Sequence, residues 1–184
     1  MRQGFRGPWS GWRCRRYRRA ASATCTVIDA DSERDETMFL EMLNTEQREA
    51  FLILANRVAI ADGDDSAEEA EAMDKLRQEM GLGATVDMNR VMGDIDVTAF
   101  DTHKARVIAA LELLRLAYAD EYVHESEIAE VRDVCEAMGF PEEWLSTMGE
   151  WATRFNVVEN EELEGEMVEY RDALIEHAHQ MMDV

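Results

Sequence analysis

Apolar residues recur at helical spacing from Met38 to the end of the chain. The first clear stripe recurs at i, i+4, i+7 and i+8 and consists of Phe51, Ala55, Val58 and Ala59. This stripe predicts a helix over about 45–61, which Asn44 or Thr45 can cap.

Helix start and stop residues divide the rest of the chain. Ser66 with Glu69 forms a capping box, Gly81 and Gly139 each end a helix, and Pro141 suits a first helical position. The pattern predicts further helices over about 66–80, 86–93, 102–120, 125–138, 141–155 and 161–182.

The sequence contains an internal repeat with an offset of 58 residues. "LAYADEYVHESEIAEVRDVCEAMGF" at 116–140 aligns without a gap on "VAIADGDDSAEEAEAMDKLRQEMGL" at 58–82. One helical hairpin cannot bury its apolar face, so the two copies are expected to pack together about a pseudo-twofold axis, with the C-terminal helices covering the rest. The chain has only two prolines and few β-branched runs. The predicted fold class is therefore an all-α helical bundle.

Charge is distributed unevenly along the chain. The formal net charge is −21, but residues 1–23 carry seven arginines and no acid, which leaves 12 basic against 40 acidic residues, or −28, for 24–184. The acidic body is expected to repel nucleic acid and anionic lipid and to attract cations or basic partners. A demand for solubility explains the same charge.

The basic start of the chain is expected to lie outside the helical bundle. Residues 1–37 form a predicted, largely disordered tail, 38–158 the helical domain, and 159–184 a C-terminal helix. The tail fits a transit peptide, a binding arm, or sequence upstream of a true start at Met38. No apolar run approaches the roughly 18 residues of a membrane span.

The three cysteines, Cys14, Cys25 and Cys135, show no CxxC pairing. A reduced, cytoplasmic setting fits this usage best. Cys135 lies beside the apolar stripe of the helix at 125–138, so we expect a buried structural thiol.

The acidic stretch "ADGDDSAEEAEAMD" suggests a calcium loop but does not match one. An EF-hand loop needs Gly at position 6 and Glu at position 12. Counted from Asp62, these positions hold Ala67 and Met73.

Helical periodicity predicts a different acidic site. Asp62 and Asp120 continue the inward stripes of their helices, and Glu69 and Glu127 begin the stripes of the next ones. Both hairpins thus place an Asp and a Glu at the same end, where packing can bring the four carboxylates together. Oxygen ligands favour Ca²⁺, Mg²⁺ or Mn²⁺. Alternatively, the glutamates only bond the amides of their own helix starts.

The same residues carry a resemblance to a known family. "ADG" at the end of an Ala-rich helix, "EE" seven residues on, and "AMGFPEEW" after the second copy resemble the tellurite-resistance TerB-like family. The chain is also similar to the acidic helical domain of some membrane-associated J-domain co-chaperones. The likeness covers about 45–155 and implies a helical bundle, a stress-response role, divalent-cation binding with Ca²⁺ first, and protein partners that include membrane-associated ones. The site residues that it implies are Asp62, Glu68, Glu69, Asp120 and Glu127.

Two functions remain open. The first is a non-enzymatic module that binds a divalent cation or a basic partner through the acid cluster. The second is a protein-interaction scaffold whose acids are only helix caps, with an apolar groove or the helix bearing Trp144 and Trp151 as its binding surface. A carboxylate-metal hydrolase ranks last, because no general base can be named.

Overall fold

Every regular element in the described part of the chain is a helix. The computed structural model describes residues 39–61, 63, 67–83, 86–119, 124–159 and 165–184, all within one unit, 32–184; for 67–72 and 159 it describes the backbone only. A 3-10 turn at Leu40–Met42 precedes the α-helices, which are α1 Thr45–Ala59, α2 Ala67–Glu79, α3 Met88–Val91, α4 His103–Ala117, α5 Glu125–Ala137, α6 Glu142–Glu159 and α7 Glu166–Met182. The prediction of an all-α chain is confirmed.

Side-chain caps mark the starts of helices α1 and α4. The Asn44 side chain accepts from the Gln47 amide at 3.0 Å, and the Gln47 side chain accepts from the Asn44 amide at 3.1 Å. This capping box starts α1. Thr102 starts α4 in a similar way, since its hydroxyl accepts from the Ala105 amide at 3.1 Å.

The 58-residue repeat reappears in the helix bounds. A shift of 58 carries both ends of α1 onto those of α4, and both ends of α2 onto those of α5. Gly81 and Gly139, which follow α2 and α5, both have a positive φ, +70° and +86°. The pseudo-twofold, TerB-like arrangement of these two units stays a prediction.

Helix α4 is the centre of the core. It contacts α1, α5, α6, α7 and the 3-10 turn. Its residues from Val107 to Arg115 are all buried. A helix that is apolar on nearly every side must be enclosed by others, which explains its position.

Two arginines, 58 residues apart, hold the hairpins closed. Arg48 in α1 donates through Nη1 to Met80 O at 3.4 Å, and Arg106 in α4 donates through Nη1 to Met138 O at 3.4 Å. Each arginine joins the start of one helix to the C-terminal end of its partner. The carbonyl groups that α2 and α5 leave unpaired at their ends thereby gain a donor.

The C-terminal helices cover the other side of α4. Helix α7 contacts both α4 and α6. Trp151 of α6 is buried, stacks on Phe155 with ring centroids 4.9 Å apart, and donates through Nε1 to Leu174 O at 2.7 Å. Trp151 therefore belongs to the core and is not available as a surface anchor. None of the helices in the described ranges is long and apolar enough to cross a membrane.

Replacing the glycine that ends either hairpin should destabilise the fold. Gly81→Ala and Gly139→Ala force a side chain into the left-handed region, at an expected cost of about 1–2 kcal/mol each in the free energy of unfolding. Urea unfolding followed by circular dichroism measures this.

Gly83→Ala is the matched control for these variants. Gly83 lies two residues after Gly81 without a positive φ, and an added Cβ would meet open space at Gly81, Gly83 and Gly139 alike. It should leave stability within about 0.5 kcal/mol. Equal losses in all three variants would contradict the role of φ.

Candidate functional site

The helix ends that lead into the two predicted acid pairs have the same geometry. At the end of α1, the Ile60 amide donates to Asn56 O at 3.1 Å and the Ala61 amide to Val58 O at 3.0 Å. At the end of α4, the Tyr118 amide donates to Leu114 O at 3.0 Å and the Ala119 amide to Leu116 O at 3.1 Å. The backbone therefore has the same hydrogen bonds up to Ala61 and Ala119, and Asp62 and Asp120, which follow them in the sequence, lie outside the described residues.

The glutamates of the pairs lie in the first turns of α2 and α5. The backbone of Glu68 and Glu69 is helical, whereas their side chains are beyond what the structure describes. Glu127 is half-buried, one turn before the buried Val131 of the same helix face. Its position fits the prediction that this carboxylate lies on the inward face, while the four-carboxylate cluster itself stays a prediction.

The two helix starts differ in their capping residues. The predicted capping box of α2 depends on Ser66, which is outside the described ranges. In the second copy His124 takes the N-cap position; it is exposed and makes no side-chain capping bond. Glu125 and Glu127 instead place negative charge in the first turn of α5, where the helix dipole favours it.

Arginine side chains of the body are used for internal bonds. Arg57 of α1 pairs with the Glu130 carboxylate of α5 and donates to Val91 O at 3.1 Å and to Gly93 O. Together with Arg48 and Arg106, it satisfies carbonyl groups at helix ends. Exposed carboxylates outnumber exposed basic side chains among the described residues, as the composition of the chain requires.

A buried ion pair on α4 is the polar feature that the sequence analysis missed. Glu112 accepts from Arg115 Nη1 at 2.8 Å and from the Phe39 amide at 3.4 Å, and both side chains are almost fully buried. The Arg115 guanidinium also lies over the Phe155 ring, 4.8 Å from its centroid. The spacing i, i+3 within an otherwise apolar helix was the available signal. The pair anchors the 3-10 turn and α6 to α4.

The described residues contain no group of three or more His, Cys, Asp or Glu side chains placed to hold a metal ion. This statement covers Glu127 but not Asp62, Asp120 or the side chains of Glu68 and Glu69. The predicted cation site therefore remains a hypothesis about those residues.

Comparisons with models of protein families, with curated proteins and with solved structures found no match to this chain. The likeness to the TerB-like family accordingly rests on the motifs in the sequence.

Cys135 is a buried thiol on α5, as expected. Burial raises the pKa of this thiol to about 12. The thiolate is the reactive form of cysteine, so this side chain is inert at neutral pH.

Breaking the buried ion pair should destabilise the protein strongly. Glu112→Ala leaves Arg115 buried without this carboxylate, and we expect a loss of about 3–5 kcal/mol in the free energy of unfolding, measured in urea. Replacing both residues, as in Glu112→Leu with Arg115→Met, should recover most of that loss. A double variant no more stable than Glu112→Ala would show that the ions are not coupled.

Cys135 should react with thiol reagents only when the chain unfolds. In a Cys14→Ser, Cys25→Ser variant, Ellman's reagent at pH 8 should leave the native thiol unmodified, and labelling should rise with urea in parallel with the loss of helical signal. Rapid labelling in native buffer would show that α5 opens without global unfolding.

Proposed function

We propose that this protein is a non-enzymatic, TerB-like helical module that binds a divalent cation through the duplicated acid pairs of its two hairpins. The observation that carries the proposal is the repeated geometry of the helix ends. The same backbone hydrogen bonds occur up to Ala61 and, 58 residues later, up to Ala119, the residues that precede Asp62 and Asp120 in the sequence. A ligand set that occurs twice at equivalent places suits a composite site better than two unrelated caps.

Charge balance supports a cation at this end of the hairpins. An aspartate placed after a helix C-terminus meets the negative end of the helix dipole and is destabilised there. Four clustered carboxylates need a counter-charge, and Arg57, the arginine in the last turn of α1, is already engaged with the Glu130 carboxylate and with Val91 O. A metal ion supplies that charge without a further side chain.

The ligand chemistry favours a hard cation. Asp62, Glu69, Asp120 and Glu127 offer only carboxylate oxygens, with Glu68 as a fifth ligand. Such a set suits Ca²⁺ first, with Mg²⁺ and Mn²⁺ as alternatives. The resemblance to the TerB-like family adds the setting: a cytoplasmic stress response of the tellurite-resistance type, with protein partners that include membrane-associated ones.

Calorimetric titration of the full chain with Ca²⁺, Mg²⁺ and Mn²⁺ tests the proposal. Wild-type protein should show saturable binding of at least one ion. The double variant Asp62→Asn, Asp120→Asn should bind that ion at least about tenfold more weakly, since each substitution removes a charged ligand.

The double variant Glu142→Gln, Glu143→Gln is the matched control. It removes the same number of charges from exposed positions in the first turn of α6 and should leave binding unchanged. Equal losses of ion affinity in both double variants would show that the ion is held only by diffuse attraction to the acidic surface and not by a specific site. Absence of any saturable ion binding would favour the interaction scaffold with capping acids.

A further inference from the structure

A surface cleft lies where the turn before α4 meets the C-terminal end of α5. Its volume is about 330 Å³, at the lower end of the range of about 300–1,000 Å³ for ligand pockets. The lining combines apolar groups with two charged side chains, Arg106 and Asp101, which form its two poles. Its described residues are Val97, Thr98, Phe100, Asp101, Arg106, Ala137, Met138 and Gly139. Glu127, the acid of the proposed cation site whose side chain is described, does not line it, and the cleft lies at the start of α4, whereas Asp120 follows the end of that helix in the sequence. We therefore treat this cleft as a separate site.

The corresponding region of the first hairpin shows what such a cleft accommodates. Arg48 uses all three guanidinium nitrogens there: Nη1 bonds Met80 O, Nε bonds Leu40 O at 3.1 Å, and Nη2 bonds Glu41 O at 2.8 Å. The last two acceptors are peptide carbonyls of the 3-10 turn. In the first copy, the chain itself supplies a peptide to the arginine.

In the second copy, one of these acceptors is missing. Arg106 bonds Phe100 O through Nε at 2.9 Å and Met138 O through Nη1, but its Nη2 has no acceptor among the residues that the structure describes. The residue 58 positions after Glu41 is Ala99, whose carbonyl accepts from Gln47 Nε2 of α1 at 3.3 Å instead. The Ala99 carbonyl is thus bonded to α1 and not to Arg106.

Asp101 forms the second pole of the cleft. It is exposed, accepts from Gln47 Nε2 at 3.2 Å, and makes no ion pair with Arg106 or with any other residue in the described part of the chain. The negative end of the α5 dipole is already met by Arg106, which bonds Met138 O. A positive group of a ligand is therefore favoured at the Asp101 carboxylate, with which Arg106 does not pair.

We propose that this cleft binds a short basic peptide segment of a partner protein. A backbone carbonyl of the peptide accepts a hydrogen bond from Arg106 Nη2, as Glu41 O accepts one from Arg48 Nη2. An apolar side chain packs on Val97 and Phe100, and an adjacent Lys or Arg lies at Asp101. An acidic peptide is disfavoured by Asp101 and by the net charge of −21.

Titration of the ¹⁵N-labelled full chain with capped dipeptides tests this proposal by NMR. Acetyl-Leu-Arg-amide should shift the amide signals of 97–101 and 137–139 in a saturable way. Acetyl-Leu-Glu-amide and acetyl-Ser-Arg-amide should bind at least about tenfold more weakly, because one has the wrong charge and the other lacks the apolar side chain. Equal shifts from all three would overturn the proposal.

Variants that fill the cleft or neutralise its acidic pole complete the test. Ala137→Phe fills the cleft from an exposed position and should abolish the shifts, whereas Ala129→Phe, exposed two turns earlier on α5, should not. Asp101→Asn keeps an acceptor for Gln47. It should weaken the binding of acetyl-Leu-Arg-amide by about two- to fivefold, as expected for the loss of an exposed ion pair. Binding that Ala137→Phe leaves unchanged would place the peptide elsewhere and refute the site. Since the metal ligands are untouched, calcium binding is expected to be the same in all three variants.

Discussion

The burial of α4 on nearly all sides is the constraint on which the rest of the structure depends. Enclosing this helix requires α1 and α5 on one part of its surface and α6 and α7 on the rest. Consecutive buried residues such as Ala109 and Ala110 let the neighbouring helices come close. Glu112 and Arg115 lie in the same buried stretch, and their desolvation is offset by their mutual bond and by the Phe39 amide.

Basic and acidic side chains have different roles in this architecture. Short helices leave many unpaired carbonyl groups at their ends, and Arg48, Arg57 and Arg106 satisfy a number of them. The chain outside residues 1–23 carries 40 acidic against 12 basic residues, and three of those basic residues are used for internal bonds, so the outer surface of the described residues is strongly acidic. This acidic surface is expected to favour two ligands, a cation at the hairpin turns and a basic peptide at the α5 cleft.

The two copies of the repeat share their backbone but differ in the bonds of their side chains. Leu54 in α1 corresponds to Glu112 in α4, and Arg57, which reaches Glu130, corresponds to the buried Arg115. Likewise, the Glu41 carbonyl accepts a hydrogen bond from Arg48 Nη2, whereas the Ala99 carbonyl accepts one from Gln47 Nε2 of α1. An internal repeat that has diverged in this way keeps one fold while its halves acquire different surfaces.

The sequence by itself determined the helices, the 58-residue repeat and the burial of Cys135, because periodicity and capping residues act over a few neighbouring positions. It also named the acid pairs, of which the structure places the half-buried Glu127. Only the tertiary structure decided that Glu112 and Arg115 are enclosed and that Arg106 Nη2 has no acceptor among the residues that the structure describes. The reason is that Phe39 is 73 residues from Glu112, and Gln47 is 52 residues from Ala99. Contacts between such distant residues depend on how the helices pack, and no local pattern of residues encodes them.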